Sequence, residues 1–270
     1  MPLAVCATPI GNLDDVTLRV LAELREADVV LCEDTRRTRI LLNRHRIEAR
    51  LLSYHRHNET ARADDVLQRL GRGERVALVS DAGLPGISDP GTRLIRAVAA
   101  AGLDVTVLPG ASSVETALVV SGLAGTGYRF VGYLPRRARE LGDFVERIAR
   151  WPEVVVAFES PHRLATSLTA LASAMPTRPA AVCRELTKRF EEVARGSLEE
   201  LAVRFAEPPK GEVTIVIGAA EGGPPEGDES EKALEAVAEL VSAGVPRRKA
   251  AEVVARLTGV SKNDLYRGSL

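Results

Sequence analysis

Short apolar runs alternate with longer amphipathic segments along the first half of the chain. LAVCA is followed by LDDVTLRVLAEL, DVVLCE by RRTRILLNRH, RVALVS by RLIRAVAAAG, and DVTVLPG by SSVETALVVSGL. Apolar runs of strand length between segments of helical periodicity predict βαβ units around a mostly parallel sheet, whose loops at the strand carboxyl ends form the site. The pattern breaks at GLAGTGYRFVGYLPRR, Gly122 to Arg137, and resumes with different spacing. VVVAFES, the helical SPHRLATSLTALASA, AAVCREL, FEEVARGS, a short helix and GEVTIVIG then make a second α/β unit. Two strand runs in direct succession predict a mixed sheet there, and no internal repeat is visible.

AAEGGPPEGDES, from Ala219 to Ser230, has the glycine, proline and acid content of a linker. ALEAVAELVSAG, PRRKAAEVVARLTG and SKNDLYRGSL then read as short helices in the manner of a helix-turn-helix, with Ser261 capping the last and Gly259 in a turn. The expected fold class is therefore α/β. It has a parallel-sheet domain over 1–121, a mixed-sheet domain over 122–219, a linker over 220–230 and a small helical domain over 231–270.

At 270 residues and 45% hydrophobic content the chain is long enough for two cores. A formal net charge of -1 neither demands nor excludes a polyanionic partner, so nucleic-acid contact has to come from a local basic patch. Cys6, Cys32 and Cys183 are few, odd in number and set in or beside apolar runs, which reads as buried, reduced thiols of a cytoplasmic protein. MPLAVCATPIG has no basic leader, and nowhere do about 18 uninterrupted apolar residues occur, so a soluble protein without a membrane span is expected.

Familiar chemistries fail on particular residues. GISDPGT, Gly86 to Thr92, has phosphate-loop glycine spacing, but Thr92 stands where the lysine belongs, which disfavours an NTPase. Gly71 and Gly73, or Gly125 and Gly127, begin a dinucleotide fingerprint that never reaches its third glycine. PGASSV lacks the glycine after a nucleophilic serine, so Ser112 reads as a helix cap. His55 and His57 have no third ligand near them in sequence, and no metal is expected. What remains are polar motifs at strand ends: TPIGNLDD, EDTRRT, SDAGLPGISDPG, PGASS, ESPHR, RELTK and KGE. Each alone could be turn chemistry; the set points to one ligand cleft between two domains.

The order of these motifs, closing on the terminal GVSKNDLY, resembles the ribosomal-RNA-methylating branch of the tetrapyrrole methylase superfamily along essentially the whole chain. Leu84 departs from the threonine usual in that family's version of the SDAG stretch, and Ser88 from the asparagine of some members. The resemblance implies a two-domain fold that binds S-adenosylmethionine in the interdomain cleft, commonly as a homodimer. It also implies 2'-O-methylation of a cytidine ribose in the decoding region of 16S rRNA, with the small ribosomal subunit as partner. The matching cofactor-binding positions are Pro9, Ile10, Gly11, Asp81, Gly83, Gly86, Ile87, Ser112 and Ser113, with Phe158, Leu186, Gly211 and Glu212 from the second domain.

A ribose hydroxyl is a poor acid, so a carboxylate or a nearby cation would assist its attack on the methyl group. Glu33, Asp34 and Arg36 in EDTR, with Glu185 and Lys188 in RELTK, are the candidates. RNA contact is expected at Arg36, Arg37, Arg39, Arg136, Arg137, His162 and Arg163, and in the tail at Arg247, Arg248, Lys249, Lys262 and Arg267. Asp89 is open between capping the following helix and catalysis. Two alternatives stand beside this reading: a tetrapyrrole or corrin ring methyltransferase, and a ribosome-binding factor without catalysis.

Overall fold

The computed structural model describes residues 2–55, 58–220, 228–258 and 260–268. In the first unit, β1 (Leu3–Cys6), a 3-10 turn (Leu13–Asp15), α1 (Leu18–Glu26), β2 (Val29–Cys32), α2 (Thr35–Arg44) and β3 (Leu51–Ser53) come first. They are followed by α3 (Glu59–Gly71), β4 (Val76–Val79), α4 (Thr92–Ala100), β5 (Val105–Leu108) and α5 (Ser113–Ser121). The strands form a parallel sheet in the order β3-β2-β4-β1-β5. Successive residues of a strand point to opposite faces, and the cores divide accordingly. Leu3, Val5, Val29, Leu31, Val76 and Leu78 pack with Val66 and Leu70 of α3 and Leu94 and Val98 of α4. Their neighbours Ala4, Cys6, Val30, Cys32, Ala77 and Val79 pack with Val20, Leu21 and Leu24 of α1 and Leu42 of α2. Burial on both faces is why β1, β2 and β4 read as unbroken apolar runs.

The second unit comprises β6 (Tyr128–Tyr133), α6 (Ala138–Ile148), β7 (Val154–Glu159), α7 (Leu164–Ala174), β8 (Pro179–Arg184), β9 (Glu192–Ser197), α8 (Leu198–Arg204) and β10 (Val213–Ile217). Its sheet runs β6-β7-β10-β8-β9; β6 and β7 are parallel and the remaining pairs antiparallel, the mixed sheet expected. One face is covered by Leu141, Phe144 and Ile148 of α6, Leu164, Leu168 and Leu171 of α7, and Leu198 and Leu201 of α8. The other carries Val154, Val156, Ala181, Cys183 and Val216, and these pack on Val114, Ala117 and Leu118 of α5. Thus α5 belongs in sequence to the first unit and seals the sheet of the second; Ile10 and Leu186 complete the same cluster.

The tail folds on itself. α9 (Asp228–Ser242), α10 (Arg247–Thr258) and α11 (Lys262–Gly268) share a cluster of Ala233, Val237, Ala250, Ala251, Val254 and Leu265 that contains no residue of the α/β body. The Ser261 carbonyl accepts the Leu265 N–H at 3.0 Å, which starts α11. Gly259 and most of the expected linker, 221–227, lie outside the described residues, and α9 already begins at Asp228. Among the described residues no helix is long and apolar enough to cross a membrane, and all three cysteines are buried and free.

Candidate active site between the two sheets

The loop after β1 and the loop after β4 are zipped together. Thr8 donates its N–H to the Gly83 carbonyl at 2.8 Å and accepts the Gly83 N–H at 3.0 Å, while the buried Thr8 hydroxyl donates to the Ser80 carbonyl at 3.0 Å. Gly83 meets this bridge at a φ of 79°, in the region where glycine is at ease. Gly86 and Gly91 also have positive φ, and the Thr92 hydroxyl donates to the Gly86 carbonyl at 3.1 Å. The residue before α4 is Gly91, so Asp89 does not cap that helix. Ser112 does hold the N-cap position of α5, but its hydroxyl donates to Glu115 rather than accepting from the backbone.

On the second unit's side the RELTK turn presses against the first loop. A Cβ on Gly11 would sit 2.6 Å from Lys188 Cγ, 2.6 Å from Thr187 Oγ1 and 2.7 Å from the Leu186 carbonyl oxygen, and the Asn12 N–H donates to Thr187 Oγ1 at 2.9 Å. Glu185 and Thr187 adopt φ of 51° and 63°, a conformation that costs an ordinary residue about 1–2 kcal/mol. The turn is held there by its own polar groups. Glu185 Oε1 accepts Lys188 Nζ at 2.8 Å and the Glu212 N–H at 3.0 Å, and Lys188 Nζ also reaches Glu212 Oε2 at 2.9 Å. Gly211, with φ of 95°, leaves the space that the Glu185 carboxylate fills.

Between these contacts lies a cavity of about 550 Å³ at the carboxyl ends of β1, β2, β4 and β5, facing the matching edge of the second sheet. Its lining mixes two kinds of side chain. Ile10, Val114, Cys183, Leu186 and Val213 supply apolar groups, and Glu33, Arg37, Asp81, Asp89, Tyr133 and Arg136 supply polar ones. A Cβ on Gly132 of β6 would lie 3.8 Å from Ser88 Oγ, so β6 approaches the β4 loop there. A ligand with both an apolar ring system and charged groups fits such a cavity. Among the described residues no cluster of three metal-ligating side chains occurs, and His57 lies outside them.

Of the expected cofactor residues, Ile10, Asp81, Gly83, Ile87, Ser112, Ser113, Phe158, Leu186, Gly211 and Glu212 line the cavity. Pro9, Gly11 and Gly86 do not; Gly11 shapes the wall from behind. Asp81 ties two motifs together: Oδ1 accepts the Asp34 N–H at 3.1 Å, and Oδ2 lies 3.6 Å from Arg37 Nη1. Of the five catalytic candidates, Glu33 alone lines the cavity. Asp34 caps α2 and binds Arg36, whose guanidinium and N–H bring the Asp34 carboxyl down to about 2, so it is a feeble proton acceptor. Burial raises the Glu185 carboxyl, but the Lys188 ammonium and the Glu212 N–H outweigh it and leave the pKa lowered. Burial likewise lowers Lys188, and its two carboxylate partners outweigh that to leave it raised. Glu185 and Lys188 are thus a charged lock within the turn.

The expected RNA contacts also separate. Arg36, Arg37 and Arg39 are exposed on the first turns of α2, Arg136 and Arg137 on the loop after β6, and His162 after β7. Arg37 and Arg136 reach the cavity. Arg163 turns inward: Nη1 lies 3.2 Å from the buried Glu159 carboxylate, and the guanidinium donates to the Leu134 and Pro135 carbonyls. In the tail, Arg248, Lys249 and Arg267 are exposed, Arg247 and Lys262 half-buried, and Glu252 lies 3.6 Å from Lys249 and 3.7 Å from Lys262. Tyr133, Glu159 and Thr214 line the cavity without having been singled out from the sequence. Glu159 stood inside the quoted ESPHR motif; Tyr133 carried no local signal.

Residues 2–202 match the family of tetrapyrrole (corrin/porphyrin) methylases, and residues 228–268 match the RsmI C-terminal HTH domain. The chain is 42% identical to ribosomal RNA small subunit methyltransferase I of Mesorhizobium japonicum over 268 residues, which is 98% of this chain and 90% of that protein. Its identity to the protein of the same name from Halalkalibacterium halodurans is 40%, over 98% of this chain and 93% of the relative. Among solved structures, the methyltransferase CobJ superposes with a TM-score of 0.62 at 22% identity, covering 81% of this chain and 94% of that one. Uroporphyrin-III C-methyl transferase from Thermus thermophilus, complexed with S-adenyl homocysteine, gives 0.56 at 20% identity over 80% of this chain and 97% of that one. At such identities the likeness to the solved structures is one of fold.

Proposed function

Since this chain belongs to the tetrapyrrole methylase family, we propose that it uses S-adenosylmethionine to methylate the ribose 2'-hydroxyl of a cytidine in 16S rRNA of the small ribosomal subunit. The observation that carries this reading is the near-complete match to ribosomal RNA small subunit methyltransferase I, tail included. CobJ and the uroporphyrin-III C-methyl transferase cover only 81% and 80% of the chain, whereas the ribosomal RNA enzymes cover 98%. That difference favours RNA over a corrin ring. A cytoplasmic location, where small subunits are met, and a homodimer belong to the same proposal. Among the described residues β5 is an edge strand, and the exposed Val107 of β5 and Val119 of α5 are the candidate apolar contacts for a second copy; a monomeric mass in sedimentation would remove the homodimer.

When bound, S-adenosylmethionine supplies an electrophilic methyl carbon on a good leaving group. The protein orients and manages one proton. The apolar side chains of Ile10, Val114, Leu186 and Val213 suit the adenine, and Gly83 and Gly211 line the same cavity. Asp81 suits the cofactor's ammonium or ribose hydroxyls, and Ser112 and Ser113 add short polar groups. Glu33 lines the cavity and is our candidate for accepting the acceptor hydroxyl's proton. Arg37 and Arg136, in the same lining, are the candidate phosphate contacts.

Asp81→Asn keeps an acceptor for the Asp34 N–H but removes the charge. It is expected to weaken S-adenosylmethionine binding by about tenfold, the scale of one charge-assisted hydrogen bond, with little change in melting temperature. Calorimetry with an unchanged Kd would take Asp81 out of the site. Methyl transfer from labelled cofactor, offered to unmethylated small subunits and to a corrinoid precursor in parallel, tests the acceptor; label in the corrinoid and none in the subunits would reverse the assignment.

A further inference from the structure

We propose that Tyr133 is the platform on which the base of the acceptor nucleotide stacks, with Arg136 holding its phosphate. The inference rests on the reading that the acceptor is an RNA ribose. A 2'-hydroxyl can meet the methyl group inside the cleft only if its nucleotide is drawn out of the surrounding RNA structure, and a base extruded in this way needs a new stacking partner.

The cavity wall supplies one. Strand β6 slips register against β7 between Phe130 and Tyr133, and Gly132 takes a φ of 68° at the slip. A bulge of this kind re-aims the next side chain. Here it carries Tyr133 to the cavity wall, where its ring is edge-on to Phe158 at 5.6 Å and 65°, and Phe158 is in turn edge-on to Phe130 at 4.9 Å. The two phenylalanines anchor the array, yet Tyr133 remains 62% exposed. An aromatic ring so open adds little to the core, and an edge-on contact leaves ring face for a ligand. Ile87, 47% exposed, adds an apolar side chain from the β4 loop that Gly132 approaches.

The segment bearing Tyr133 and Arg136 is braced from behind. Arg163, paired with the buried Glu159, donates to the carbonyls of Leu134 and Pro135, the two residues between Tyr133 and Arg136. Glu159 is fixed by the Ser160 N–H at 2.7 Å and by the Ser167 hydroxyl. Ring and cation are therefore presented at a set spacing, as recognition of one nucleotide's base and phosphate requires.

The test compares wild type, Tyr133→Phe and Tyr133→Leu in single-turnover methylation of unmethylated small ribosomal subunits, with S-adenosylmethionine affinity measured by calorimetry for each. Tyr133→Leu is expected to lose on the order of ten- to a hundredfold in kcat/KM, the range of one lost base–aromatic stack, while its cofactor Kd stays within threefold. Tyr133→Phe keeps the ring and is expected to stay within threefold of wild type. Wild-type-like methylation by Tyr133→Leu overturns the proposal, as does a loss matched by an equal loss of cofactor affinity, which would make Tyr133 a cofactor wall. An inactive wild type on these subunits would instead overturn the RNA reading itself.

Discussion

Gly11→Val is expected to raise the Kd for S-adenosylmethionine on the order of a hundredfold and to lower the melting temperature. The first added atom has nowhere to go. It would lie 2.6 Å from Lys188 Cγ and from Thr187 Oγ1, and 2.7 Å from the Leu186 carbonyl oxygen. A lone lysine stem could swing aside, but the carbonyl belongs to the backbone of a turn held by Glu185, Lys188 and the Glu212 N–H. Relief therefore requires the RELTK turn to back away from the β1 loop, which breaks the Asn12 N–H contact to Thr187 and withdraws Leu186 from the cavity wall. Overpacking of this kind costs about 1–3 kcal/mol, and here it falls on the contact that sets Leu186 in the cavity wall. Calorimetry on a variant shown by circular dichroism to be folded provides the check. An unchanged Kd would mean that this contact does not shape the cofactor site.

The second large effect concerns the tail. Removing residues 220–270 should leave the cofactor Kd within threefold and cut methylation of small subunits by at least tenfold. The tail's apolar cluster is self-contained, so its loss opens no core in the α/β body. What departs is a small helical domain carrying Arg247, Arg248, Lys249, Lys262 and Arg267 on a chain whose overall charge is -1. Local cations of this sort supply the salt-dependent part of binding to RNA phosphates, so the shortened enzyme's activity should also depend less steeply on salt. Full activity of the truncated chain on subunits would end the tail's role in substrate capture.

Much of the architecture could be read from hydrophobic pattern, because β1, β2 and β4 are buried on both faces and their helices are plainly amphipathic. The pattern was silent where burial was partial or conformation irregular. β3 has three half-buried residues, too few to show a period, and it and α3 had no place in the expected alternation. β6 is bulged, so its side chains do not alternate, and Tyr133 went unnoticed. Motifs at strand ends located the cleft, since the loops that bear them follow β1, β2, β4, β5, β7 and β8 or precede β10. They could not say which polar group faces the cavity. Glu185 and Lys188 read as a catalytic carboxylate and a nearby cation, but two positive-φ residues wind the turn so that they face each other. Arg163 looked like an RNA contact until Glu159, four residues earlier, claimed it.

In the proposed function, this cleft delivers a methyl group to a ribose hydroxyl of small-subunit RNA. The most direct test is to incubate the protein with labelled S-adenosylmethionine and small subunits that lack the modification, digest the RNA to nucleosides and identify the labelled product. A single labelled nucleoside, 2'-O-methylcytidine, is the predicted result; label on a base, or no label in the RNA at all, would contradict it.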